Sequence, residues 1–189
     1  MIDLNVKSYA KHYENFISKK LCLTILNELK KEKWHEHKWA DYKKLDNVRN
    51  NDGSVCVYYS LAQHELQKKL WFAIEKYILR DFKSFKKWWD GWNGYTTIRF
   101  NKYDKQTEMD IHCDHIHSMF DGQIKGIPTL SIVGCLNDNY DGGDFIMWEK
   151  EKINLKQGSV LIFPSNFMFP HRVNSIKKGT RYSFVSWVY

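Results

Sequence analysis

The sequence predicts a mainly β protein with N-terminal helices, in the form of a double-sheet barrel of the jelly-roll kind buttressed by those helices. Three observations predict it. Helical periodicity is confined to the first 80 residues. After Gly94 come short alternating runs parted by turn chemistry at Asp141-Gly142-Gly143, Gln157-Gly158 and Lys178-Gly179. Along those runs, metal-capable and anion-binding side chains recur two residues apart, the spacing that puts them on one face of a strand.

The 189 residues suit one domain, with 1–94 as helical support and an irregular region and 95–189 as the strand-rich part. A hydrophobic share of 43% with 16% aromatics excludes a disordered chain. The net charge of +7 comes from lysines scattered along the whole length, the pattern of a solvated surface, so nucleic acid is not the favoured partner. Cys22, Cys56, Cys113 and Cys135 stand apart with no CxxC, as reduced cytosolic thiols do. No signal peptide opens the chain and no apolar run reaches membrane-spanning length, so the expectation is a cytoplasmic protein with no membrane partner.

In chain order, residues 13–17 read as a short strand or turn leading to Ser18, a good N-cap. Leu21, Ile25 and Leu29, widened by Cys22 and Leu26, form a helical stripe, and lysines are expected in its last turn. Residues 34–54, with Trp34, Trp39 and Asn51-Asp52-Gly53, read as an irregular loop with short strands. A second helix over 60–80 has Leu61, Leu66, Leu70, Ile74, Tyr77 and Ile78 as its apolar side. Residues 83–92 are basic and aromatic and end in a turn-rich boundary. Strands follow at 95–103, 109–115, 127–137, 144–149, 159–163, 171–176 and 180–188. Residues 118–127, with Gly122, read as a connecting loop or a lid.

The chemistry centres on residues 108–118, where His112 and Asp114 present an imidazole and a carboxylate to one cavity. His171, opening a late apolar run, is the best candidate for a third ligand. Two histidines and a carboxylate leave one side of a metal open, which suits non-haem Fe(II). On the last strand Arg181, Ser183, Val185 and Trp187 share a face. If His171 faces the cavity, the turn at 177–179 folds that strand back beside it and brings Arg181 inside the barrel. A guanidinium there needs an anion, and a carboxylate fits its planar fork, with Ser183 and the Tyr103 hydroxyl able to add hydrogen bonds. Each residue alone also fits an ordinary structural place, as His115 and His117 do; the weight lies in the constellation.

Several stretches now resemble a known family. They are Arg99-Phe100-Asn101-Lys102-Tyr103 with His112-Cys113-Asp114, residues 129–145, Gln157 to Ser165, and His171-Arg172-Val173 with Lys178 to Ser183. Together residues 95–189 resemble the catalytic core of Fe(II)/2-oxoglutarate-dependent dioxygenases, in the prolyl 4-hydroxylase-like branch. The resemblance implies a cupin-like double-stranded β-helix. It implies His112, Asp114 and His171 as iron ligands, Arg181 as partner of the distal carboxylate of 2-oxoglutarate, and Tyr103 as its helper. It also implies hydroxylation of a prolyl residue in a protein or peptide, with release of succinate and CO2 and with ascorbate as an auxiliary reductant. Thr107 and Met109 stand where relatives carry a glycine and an aromatic residue. The alternatives are an oxygenase acting on a free amino acid, another small metabolite or nucleic acid, and a non-catalytic cupin-like metal-binding module using His115 and His117.

Overall fold

Ser18 opens the first helix. In a computed structural model of the chain, which describes residues 5–37, 53–88, 94–114 and 128–189, its hydroxyl accepts from the Leu21 amide at 3.2 Å. Strand β1 (Lys11–Tyr13) precedes it and helix α1 (Lys19–Leu29) follows. Leu21, Cys22, Ile25 and Leu29 are buried as the stripe predicts. The lysines do not fill the last turn, however. Trp34 turns back to donate from Nε1 to the Leu29 carbonyl at 3.1 Å, and the helix stops there, leaving Lys30 as cap and Lys31 and Lys33 beyond it.

Strands β2 (His35–Glu36) and β3 (Ser54–Cys56) come next, then helix α2 (Leu61–Lys76). The Ser60 hydroxyl caps α2 by accepting from the Gln63 amide at 3.0 Å and donates to Glu28 Oε2 at 2.7 Å, which ties α2 to α1. Leu66, Leu70, Ile74, Tyr77 and Ile78 are buried, but Leu61 is 90% exposed. As the first residue of the helix, it lies outside the stripe that meets the sheet. Instead of continuing as an α-helix to residue 80, the chain passes into a π turn at Tyr77–Asp81 and a 3-10 turn at Lys83–Trp88.

The strand region comprises β4 (Arg99–Tyr103), β5 (Met109–His112), β6 (Leu130–Cys135), β7 (Asp141–Gly142), β8 (Phe145–Met147) and β9 (Glu151–Ile153). It continues with β10 (Val160–Pro164), β11 (His171–Val173), β12 (Ile176–Lys178) and β13 (Arg181–Val188). Every strand expected after Gly94 is present, β10 shifted by one residue and the others shortened, whereas β7, β9 and β12 were not predicted. The expectations for Trp39, Asn51-Asp52, residues 89–93, His115, His117 and the 118–127 loop fall outside the described residues.

A major antiparallel sheet orders its strands β1-β10-β6-β13-β4-β3-β2, a minor one β5-β11-β8-β9, and β12 pairs with β7. Together they form the double-stranded β-helix. Alternation gives the major sheet two faces. Phe100, Ile132, Val160, Ile162, Phe184 and Val188 pack with α1 and α2. Tyr103, Val133, Cys135, Leu161 and Phe163 look the other way, into a second core shared with Met109, Phe145, Met147 and Val173 of the minor sheet. Gly134 makes room on the helical side, because a Cβ there would lie 1.9 Å from the Phe184 ring.

One expected neighbour relation is overturned. Strand β13 does not fold back beside β11; it runs between β6 and β4 in the major sheet, while β11 pairs with β5 and β8 in the minor one. Strand β12, pairing with β7, lies between them in the chain. Arg181 and His171 therefore stand on different sheets of one barrel.

Candidate active site

The pairing of β5 with β11 sets His112 opposite His171, with an irregularity between that pair and Met109–Val173. Asp114 lies just past the end of β5 and is 7% exposed. Each histidine directs Nδ1 at a carbonyl two residues back: His112 to Asp110 at 2.8 Å and His171 to Phe169 at 3.1 Å. With the proton on Nδ1, both Nε2 atoms keep a lone pair aimed at Asp114, 3.6 and 3.8 Å from its Oδ1. The three ligand atoms lie within 4.8 Å of one another, a donor set that can hold a divalent metal on one side. Phe145 stacks on the His171 ring at 5.3 Å and Phe163 meets it edge-on at 5.1 Å, which fixes its plane.

The charge states suit ligation. Burial drives His171 down to about 4, against the opposing pull of Asp114, so its ring is neutral at physiological pH. For Asp114 burial acts upward, but His171, His112 and hydrogen bonding outweigh it and hold the carboxyl below its ordinary range. Trp187 Nε1 donates to Asp114 Oδ2 at 3.1 Å, which occupies that oxygen and leaves Oδ1 facing the histidines.

Across the barrel, Arg181 is 1% exposed and sits opposite Tyr103 in the β13–β4 register. Its NH1 donates to Ser183 Oγ at 3.0 Å, and its guanidinium lies 5.3 Å from the Tyr103 ring centroid. Its Nε and NH2 are buried with no hydrogen-bond partner. An uncompensated buried cation costs several kcal/mol, so this arrangement calls for an anion. A pocket of about 160 Å³ lined by Tyr140, Gly143, Phe145 and Leu155 reaches Arg181. Gly143 is held at φ +63°, and a Cβ there would lie 3.2 Å from Arg181 Cδ and 2.4 Å from Ile176 Cδ1. The Tyr103 hydroxyl donates to Met109 Sδ at 3.9 Å, so Met109 forms part of this wall.

The six residues singled out from the sequence thus fall into two groups. His112, Asp114 and His171 converge, while Tyr103, Arg181 and Ser183 line the opposite sheet. Trp187, Arg99 and Tyr140 were not assigned roles from the sequence. Trp187 was legible as a face-mate of Arg181, and its bond to Asp114 was not.

A double-stranded β-helix with a two-histidine, one-carboxylate cluster facing a buried arginine defines the class to which fold and site belong. Residues 98–189, just under half of the chain, match the model of the 2OG-Fe(II) oxygenase superfamily, so this part of the chain is similar to that superfamily. The superfamily implies Fe(II) and 2-oxoglutarate as metal and cosubstrate, and His112, Asp114 and His171 have the donor set for that metal. A PKHD-type hydroxylase of Crocosphaera subtropica is 29% identical over 98 residues, covering 49% of this chain and 42% of that protein. The chain thus spans less than half the length of that curated relative. Solved structures share the fold. The viral collagen prolyl hydroxylase of Paramecium Bursaria Chlorella virus-1, in its 2OG complex, aligns with a TM-score of 0.66 and 17% identity over 95% of this chain and 94% of that one. A Trichoplax adhaerens prolyl hydroxylase, in complex with a hypoxia inducible factor peptide fragment, gives 0.70 and 17% over 96% and 84%.

Proposed function

We propose that the protein is an Fe(II)- and 2-oxoglutarate-dependent dioxygenase that hydroxylates a prolyl residue of a protein or peptide, releasing succinate and CO2. The observation that carries this reading is the buried Arg181, with two unpartnered N–H-bearing nitrogens, across the barrel from the His112–Asp114–His171 cluster. In this reading His112 Nε2, Asp114 Oδ1 and His171 Nε2 hold the metal. Arg181, assisted by Ser183 and Tyr103, holds the distal carboxylate of 2-oxoglutarate. When bound, the metal and cosubstrate together activate dioxygen and deliver one oxygen atom to a C–H bond.

The chain's own residues supply geometry. Trp187 keeps Asp114 turned towards the histidines. Phe145 and Phe163 keep His171 in plane and water away from it. Arg181 would hold one end of a dicarboxylate and so restrict the orientations it can take in the barrel. The prolyl substrate is supported by the hydroxylases that share the fold, one of them seen with a peptide. The helical core and the barrel interior share the major sheet, which supports reading residues 1–189 as one domain with 95–189 as its catalytic part. Among the described residues no helix is long and apolar enough to cross a membrane, and the four cysteines are free; the free thiols support a reducing, cytoplasmic setting.

The test is succinate formation from 2-oxoglutarate with Fe(II) and ascorbate, with and without a panel of proline-containing peptides. Succinate that rises with one peptide, together with a gain of one oxygen atom in its mass, supports the reading. Slow succinate release that no peptide stimulates keeps the oxygenase and discards the prolyl peptide. No succinate despite bound iron points to a binding module.

A further inference from the structure

The inner face of the major sheet carries a second cation that the site does not yet use. Arg99 lies on β4 with Asn101 and Tyr103, opposite Val185 in register, and its guanidinium sits 4.9 Å from the Trp187 ring centroid. Trp187 in turn holds Asp114. Arg99 is therefore at the metal end of the barrel, four residues, or about 13 Å of strand, from the Tyr103–Arg181 pair. Its Nε is buried without a partner, and no hydrogen bond reaches its guanidinium from the described residues. Asn101, 4% exposed and next along the same face, has its Oδ1 buried and unpartnered as well.

Charge then selects the occupant. In the loaded site, the metal dication, Asp114, the 2-oxoglutarate dianion and Arg181 balance to neutrality. Arg99 is left as one uncompensated positive charge beside the substrate's place. A guanidinium lying over an indole is not consumed by it, and its N–H groups remain available for donation, which a carboxylate oxygen pair accepts best. We infer that Arg99 is a specificity-determining residue that binds a carboxylate of the substrate close to the carbon being oxidised. This rests on the oxygenase reading above. The carboxylate comes either from an acidic side chain next to the target proline or from the substrate's own terminal carboxyl group.

The test is calorimetric binding to protein loaded with Mn(II) and 2-oxoglutarate, which needs no turnover. The probes are a blocked peptide with Asp beside proline, its Asn counterpart, L-proline and L-prolinamide. In wild type at least one acid is expected to bind about tenfold or more tightly than its amide. Arg99→Gln should erase that difference while 2-oxoglutarate affinity holds, and Arg99→Lys should retain part of it. Preference for the Asp peptide assigns the side-chain source; preference for L-proline over its amide assigns the terminal one. Equal binding of acid and amide by wild type, or no binding of any probe, overturns the inference without recourse to a variant. So does a preference that survives Arg99→Gln, or a loss of 2-oxoglutarate affinity in that variant, which would move Arg99 to the cosubstrate. Failure of wild type to bind 2-oxoglutarate with Mn(II) would overturn the oxygenase reading itself and this inference with it.

Discussion

Two imidazoles, each anchored through Nδ1 to a backbone carbonyl, present Nε2 to one carboxylate oxygen, and that anchoring sets how the cluster responds to change. Asp114→Ala should abolish metal retention and turnover, since it removes the only carboxylate of the cluster; an active variant would remove Asp114 from the ligand set. Trp187→Phe keeps an aromatic ring and deletes the donor to Asp114 Oδ2, so metal affinity should fall about 10–100-fold, read by competition with a chelator. His171 also makes the metal-free protein acid-sensitive. Folded, it stays neutral down to about 4; unfolded, it takes up a proton near 6.5. The unfolded chain then binds more protons between those values, so stability is complete above 6.5 and is lost as pH falls towards 4, by up to about 3 kcal/mol. Urea unfolding at pH 7 and pH 5 should show a shallower loss in His171→Asn, with His37, held to about 4 mainly by burial, supplying a remainder. Equal losses in both proteins would remove His171 as the cause. The His112–Asp114–His171 cluster and the buried Arg181 were legible because residue type and strand alternation are local properties. The tie of Trp187 to Asp114 and the position of Arg99 over the Trp187 ring were not, because they depend on tertiary placement and on the β4–β13 register.

Among the elements, β6 carries the heaviest packing constraint. It lies between β10 and β13, and Gly134 leaves the space the Phe184 ring fills. Gly134→Ala should cost about 1–3 kcal/mol by overpacking a fully buried position, lowering Tm by roughly 3–10 °C. An unchanged Tm would mean the ring moves freely aside. The helix starts and the long strands were legible from Ser18 and the apolar runs; the helix ends were not. Strands β7, β9 and β12 were not: two or three residues such as Asp141–Gly142 or Glu151–Ile153 hold no period of their own and form only against a partner already in place. The placement of β13 failed for a related reason. Its turn predicted a hairpin with β11, but the sequence holds no mark of β12 pairing with β7 in between.

At the scale of the whole molecule, the candidate site joins the two sheets. The candidate metal cluster comes from β5, the residues just beyond it, and β11 in the minor sheet; Arg181 and Trp187 come from β13 in the major one. A metal held by the cluster would crosslink the minor sheet to itself, with Trp187 as an indirect tie. In the proposed reading, a dicarboxylate held by Arg181 as well would fasten the sheets together. Mn(II) should therefore raise Tm on its own, and 2-oxoglutarate should add a further rise only when the metal is present. At about 100 times its dissociation constant each ligand contributes about 2.7 kcal/mol, or roughly 5–10 °C in a chain of this size. Arg181→Gln should keep the metal increment and lose the 2-oxoglutarate increment. Thermal unfolding of the two proteins in four conditions, with neither ligand, with each alone and with both, reads this directly. If the variant keeps the full second rise, the cosubstrate's distal carboxylate is held by some other group, and the two sheets are joined through that group instead.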